Sequence, residues 1–71
     1  MSADRDFERR LERAWFVLQA AEKLGVHFAF ALHADYPPSL PARCVRDLEE
    51  AIGAHRVLIT RMLLERAGVA P

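Results

Sequence analysis

Few side chains in this sequence have the type and spacing that chemistry requires, and Cys44 is the first to consider. It is the only cysteine, so no disulfide can form within the chain. It is expected near the start of a helix, between Arg43 and Arg46, where helix N-terminus and cations both favour the thiolate. Two interpretations stay open: a redox-responsive thiol, or the small buried hydrophobic residue that free cysteine more commonly is.

The histidines do not form a recognisable catalytic or metal-binding motif. His27 and His33 are six residues apart, which would place them on different faces of a helix, and His55 is distant from both in the sequence. The sequence contains no Glu-x-x-His motif, glycine-rich phosphate loop or Ser-His-Asp set. We therefore expect a non-enzymatic protein with no catalytic residues, no metal and no cofactor.

The segment 48–63 carries the sharpest functional pattern. Ile52 stands immediately before Gly53, and Ile59 stands six residues after it. This arrangement resembles the helix-turn-helix family of DNA-binding segments, in which a glycine opens the turn before the recognition helix. The resemblance implies DNA contacts from four side chains: His55, Arg56, Thr60 and Arg61. The alternative is one continuous helix that tolerates the glycine.

Residues 38–43, with the sequence Pro-Ser-Leu-Pro-Ala-Arg, carry a second pattern. They resemble the polyproline ligands of SH3 domains. The simpler interpretation is an interhelical loop in which Ser39 caps the next helix and Pro41 occupies its first turn. We expect the loop.

Charge and hydropathy bear on the partners. Ten Lys and Arg residues balance ten Asp and Glu residues, whereas proteins that coat nucleic acid need excess positive charge. Nucleic acid is therefore disfavoured as a partner. The charged N-terminus lacks the apolar core of a secretory signal, and the longest uncharged stretch, residues 24–34, is too short to cross a membrane. We expect a cytoplasmic protein without a membrane partner.

Two long helices are predicted to position these groups within a single domain, residues 1–71. Apolar residues recur at alternating spacings of four and three from residue 7 to residue 32, which predicts a helix over about 4–34. Residues 35–39 form a loop, because consecutive prolines cannot continue a helix. A second helix is predicted over about 40–67, with Gly68 as its left-handed terminal residue.

Residues 26–33 have a second interpretation. Apolar side chains alternate with His and Ala in this segment, as they would in a strand. Gly25 could end the first helix, and Val26 would then be the hydrophobic residue that follows the C-terminal cap. A lone strand needs a partner, however, and the sequence shows no evident second strand, so helix is favoured.

The predicted fold class is all-α: a helical hairpin, with breaks considered at Gly25 and Gly53, that assembles as an antiparallel four-helix bundle dimer. Hydrophobic residues make up 52% of the chain, yet a chain this short buries only about 60% of its extended surface. The apolar surface that one chain cannot bury should pack against a second copy. The alternative is a bent monomer of three or four helices. The expected interface residues are Trp15, Phe16, Phe28, Phe30 and Leu58.

The function expected from these observations is a non-enzymatic interaction or regulatory module. It would self-associate as a homodimer and bind a macromolecular partner, such as another protein, through its helical surface. The alternative is a small DNA-binding transcriptional regulator that uses residues 48–63.

Overall fold

The computed structural model describes residues 2–29 and 33–68. Five elements follow one another in this part of the chain: α1 (Ser2–Lys23), β1 (His27–Ala29), β2 (His33–Asp35), α2 (Ala42–Ala54) and α3 (Arg56–Arg66). The strands form a two-stranded antiparallel sheet, with His27 opposite Asp35 and Ala29 opposite His33. The protein is mostly helical, as predicted.

The predicted all-α hairpin of two long helices, and the four-helix bundle built from it, were wrong. The described part of the chain contains three helices and a small sheet instead. Residues 24–29, 33 and 34 lie outside the first helix, and the second predicted helix, 40–67, is divided into α2 and α3. A four-helix bundle dimer needs two long helices from each chain, and this fold does not supply them.

The first helix ends because Gly25 adopts a left-handed conformation, with φ of 91°. The Val26 N–H donates to the Ala21 carbonyl, and the Gly25 N–H donates to the Glu22 carbonyl, both at 3.0 Å. These two bonds define the Schellman cap of a helix. Val26 and Ala21 both lie in the hydrophobic core, which supplies the apolar contact that accompanies such a cap.

The strand that follows finds its partner a few residues further along the chain, so the expectation that no second strand was available was wrong. Phe28 and Ala34 are opposite one another, and both pack against the core. Their neighbours His27 and His33 are exposed. The alternation within residues 26–33 was therefore a better guide than the helical spacing.

The second break lies at His55 and not at Gly53, which remains inside α2. His55 has φ of −116° and ψ of 25°, which lie outside the helical range. Its carbonyl accepts the Ile59 N–H at 3.0 Å, so α3 begins directly after it. At the start of α2 the N-cap position belongs to Pro41, without a side-chain hydrogen bond, and the cap expected from Ser39 was wrong.

The core lies where α1 meets the other elements. The buried hydrophobic residues among those described are Ala14, Leu18, Ala21, Val26, Ile52 and Ile59. At the far end of α1, the Arg66 Nη1 atom donates to the Glu22 Oε2 atom at 2.6 Å and joins the end of α3 to α1. α3 ends at Arg66, and Gly68, two residues later, has φ of 80°, so the left-handed conformation predicted for Gly68 is confirmed.

Replacing Gly25 by alanine is expected to lower the free energy of unfolding by about 1–2 kcal/mol, the cost of a left-handed conformation for a residue with a Cβ atom. The added Cβ would also lie 3.3 Å from Cγ of Pro37. Urea denaturation followed by circular dichroism measures the change.

Gly53→Ala is the matched control. Apart from its chain neighbours and the backbone of its own helix, no atom lies within 4 Å of a Cβ added there, and alanine stabilises a helix more than glycine, by up to about 1 kcal/mol. The free energy of unfolding should therefore rise. Equal effects of the two substitutions would contradict the assignment of Gly25 as the residue that ends α1.

Candidate interaction surfaces

Large apolar side chains are exposed along one side of α1. Phe7, Leu11 and Trp15 recur every four residues and so lie on one side of the helix. Phe7 and Leu11 line a groove of about 250 Å³ with Leu58 and Met62 of α3. The Trp15 ring contacts the Phe16 ring edge to face, with centroids 5.5 Å apart. The α1–α3 apolar face denotes the surface of these five residues: Phe7, Leu11, Trp15, Leu58 and Met62. Phe16 adjoins it through the Trp15 ring.

The residues predicted to form an interface do not all belong to this face. Trp15 and Phe16 are 49% and 58% exposed, and Leu58 is half-buried beside the core. Phe28 also packs against the core, but it lines a different groove, with Leu63 and Leu64. Phe30 lies outside the described residues. The structure thus places Trp15 and Leu58 on the apolar face, Phe16 beside Trp15 at its edge, and Phe28 apart from them.

α3 also exposes apolar side chains away from the apolar face. Val57 is 79% exposed and Leu64 is 38% exposed, whereas Ile59 is fully buried. Residues 57, 58 and 59 are all apolar, and consecutive positions on a helix point about 100° apart. They therefore cannot all face one core. From this run alone, the sequence predicts that at least one apolar side chain is exposed. It does not identify Val57 as that side chain.

A second surface, at the junction of α2 and α3, is strongly basic. It is a groove of about 480 Å³ lined by Arg10 and Arg13 of α1 and by residues 53–58. His55 and Arg56 belong to that segment, and no Asp or Glu is among the lining residues. The formal net charge of the chain is zero, so this groove concentrates positive charge locally. We name it the arginine groove.

The residues predicted to contact DNA do not share one surface. Arg56 lines the arginine groove, while Arg61 borders the apolar groove, where its Nε atom lies 3.6 Å from Oε1 of Glu65. Five positions separate the two arginines on α3, which corresponds to about 140° around the helix axis. Thr60, which lies between the two arginines in the sequence, is half-buried. His55, at the junction of α2 and α3, is also half-buried.

The junction also differs from a helix-turn-helix turn in length. Only His55 separates α2 from α3, whereas the turn of that motif has about three or four residues. Ile52 and Ile59 do occupy the buried positions that the resemblance assigns to them. Both are equally well explained by the packing of two successive helices against α1.

Tyr36 lies on the other side of the junction, in a groove of about 300 Å³ that it shares with Glu49, Gly53 and Arg56. Burial raises the pKa of Tyr36 above its ordinary value of 10.0, and the negative charge of Glu49 raises it further. Both causes act by making the charged phenolate less favourable.

The remaining candidate groups are Cys44 and the histidines. Cys44 is half-buried in the first turn of α2. The hairpin brings His27 and His33 to one face around Asp35, which corrects the expectation of separate faces, and Nε2 of His33 lies 3.5 Å from Oδ1 of Asp35. In residues 2–29 and 33–68, no three His, Cys, Asp or Glu side chains are grouped to hold a metal ion.

Comparison with known proteins assigns no family. No family model, curated protein or solved structure matches the chain. Among the described helices, none combines the length and the apolar character needed to span a bilayer. The function is therefore argued from the two surfaces themselves.

Glu49→Gln is expected to lower the pKa of Tyr36 while leaving it above 10.0, because burial is the larger cause of the shift. Tyr36 is the only tyrosine, so the ultraviolet absorbance of the phenolate follows it directly in an alkaline titration. Glu50→Gln removes a neighbouring exposed carboxylate and should leave the titration unchanged. An unchanged pKa in Glu49→Gln would contradict the contribution of Glu49.

Proposed function

We propose that this protein is a non-enzymatic interaction module that forms a homodimer through the α1–α3 apolar face and also binds a macromolecular partner. The observation that carries the proposal is the exposed Trp15 ring, one helical turn beyond Leu11 of the groove formed with α3, with the exposed Phe16 ring against it. Aromatic side chains dominate the binding energy of protein interfaces, and large exposed apolar patches mark such interfaces.

A second copy is the occupant that suits this face best. A chain of this length has difficulty forming a stable core alone, and its fully buried residues include no aromatic ring among those described. Arg61 and Glu65 border the apolar groove and give its edge both signs of charge. In a two-fold contact the same surface meets itself, so each arginine can approach a glutamate of the other copy.

Other apolar side chains remain available for a different macromolecule. Leu24 and Val57 are 44% and 79% exposed, and neither belongs to the apolar face. Leu64, which borders the groove beside the hairpin, is also exposed. These positions support a partner-binding role in addition to self-association.

The DNA-binding alternative has less support. The one-residue junction and the divergence of Arg56 from Arg61 do not reproduce a recognition helix that presents one set of side chains to a groove of DNA. The neutral net charge also gives little of the electrostatic attraction on which such binding depends.

Sedimentation equilibrium tests the dimer. The wild-type chain should have twice the monomer mass of 8.1 kDa, and the double variant Trp15→Ser/Phe16→Ser should have the monomer mass. Its helix content by circular dichroism should be retained, because both side chains lie outside the fully buried core.

Val57→Ser is the matched control, since it removes a more exposed apolar side chain that lies outside the face. Its mass should remain that of the dimer. A wild-type chain that is monomeric at every concentration measured would refute self-association, and dissociation of Val57→Ser alone would move the interface away from the α1–α3 apolar face.

A further inference from the structure

The arginines of the arginine groove lack carboxylate partners. Arg61 and Arg66 pair with Glu65 and Glu22, but no ion pair within residues 2–29 and 33–68 includes Arg10, Arg13 or Arg56. Asp6 lies four residues before Arg10 on α1 but forms no ion pair with it. The guanidinium N–H groups that line the groove are therefore available to a ligand.

The backbone at the groove adds further donors. α3 is an 11-residue helix that begins at Arg56, and residues 56–58 line the groove. The N–H groups of the first turn of a helix have no acceptor within that helix, and the helix dipole makes this end positive. Residues 53 and 54 at the end of α2 also line the groove and bring the negative end of that helix to the same place, so the net positive charge of the cavity comes from the arginine side chains.

Gly53 provides an independent indication. Gly53 is the last residue but one of α2, where glycine stabilises the helix less than alanine would, by no more than about 1 kcal/mol. Close packing does not account for a glycine at this position, because apart from its chain neighbours and the backbone of its own helix no protein atom lies within 4 Å of a Cβ atom added there. Gly53 lies in the wall of the arginine groove, where the lack of a side chain allows a ligand to approach the backbone.

From this arrangement we infer that the arginine groove binds the phosphate group of a small phosphorylated molecule. Arginine matches phosphate oxygens with its planar set of donors, and the volume of about 480 Å³ lies within the range of small-molecule sites. Ala54, Val57 and Leu58 supply an apolar wall for the organic part of the ligand. A nucleic acid is the less suitable occupant, because its successive phosphates need a longer basic surface.

Titration of the isotopically labelled full-length chain by NMR tests the inference. The probes are inorganic phosphate and phenyl phosphate, each at constant ionic strength maintained with sodium chloride. Saturable shifts are expected at the amides of Arg56, Val57 and Leu58, and phenyl phosphate should bind more tightly because its ring contacts the apolar wall. Shifts that sodium chloride alone reproduces would overturn the inference.

Substitutions locate the site. Arg10→Gln, Arg13→Gln and Arg56→Gln should each weaken the binding of phenyl phosphate about twofold to fivefold, the modest effect of an exposed charge pair. Arg43→Gln removes an exposed arginine of α2 that does not line the groove, and binding should be unchanged. Equal affinities in all four variants would exclude this groove.

Gly53→Ala separates ligand binding from stability. This variant should have a higher midpoint of thermal unfolding than the wild type and yet bind phenyl phosphate more weakly. Loss of structure cannot produce both changes, whereas wild-type affinity in this variant would overturn the role of Gly53. A short DNA duplex that binds more tightly than phenyl phosphate, with a salt dependence corresponding to several phosphates, would overturn the choice of a small ligand.

Discussion

The left-handed turn at Gly25 is the constraint on which the remaining structure depends. It ends α1, places Val26 in the core and reverses the chain into the hairpin, whose residues Phe28 and Ala34 then cover the core. Pro37 lies so close to Gly25 that an added Cβ atom would be 3.3 Å from its ring. The segment that contains Pro37 and leads to α2 therefore packs against the same turn. Its position determines where α2 and then α3 begin.

The composition of the core explains why interaction surfaces remain. Ala14 and Ala21 contribute two of its fully buried side chains, and small residues of this kind allow helices to approach closely. Phe7, Trp15 and Phe16 consequently remain largely exposed. The same packing of α1 against the start of α3 brings Arg10 and Arg13 to the helix junction, so the apolar face and the arginine groove arise from one arrangement of helices.

Much of this fold was predictable where local signals and packing agree. The helical spacing of Ala14, Leu18 and Ala21 predicted one face of α1, and those residues are buried. The loop around the prolines and the left-handed conformation of Gly68 were also predicted. The hairpin was missed because the regular spacing continued past Gly25, while the cap at Gly25 is a local event that the spacing does not record.

Other features were not fixed by local signals. The nearby signal for a second break was Gly53, which lies two residues too early, and His55 itself is neither glycine nor proline, so the exact position of the break reflects how α2 and α3 pack on α1. The arginine groove combines residues from distant parts of the sequence, and only the tertiary structure brings Arg10 and Arg56 together. Self-association of the protein through Trp15 and Phe16 stays a prediction.

The position of Trp15 has a consequence for spectroscopy. It is the only tryptophan, and its ring rests against Phe16 outside the fully buried core. Its fluorescence therefore senses the outer side of α1, while backbone circular dichroism senses the helices themselves. Because the two signals monitor different parts of the structure, their agreement during unfolding would be informative evidence for a two-state transition.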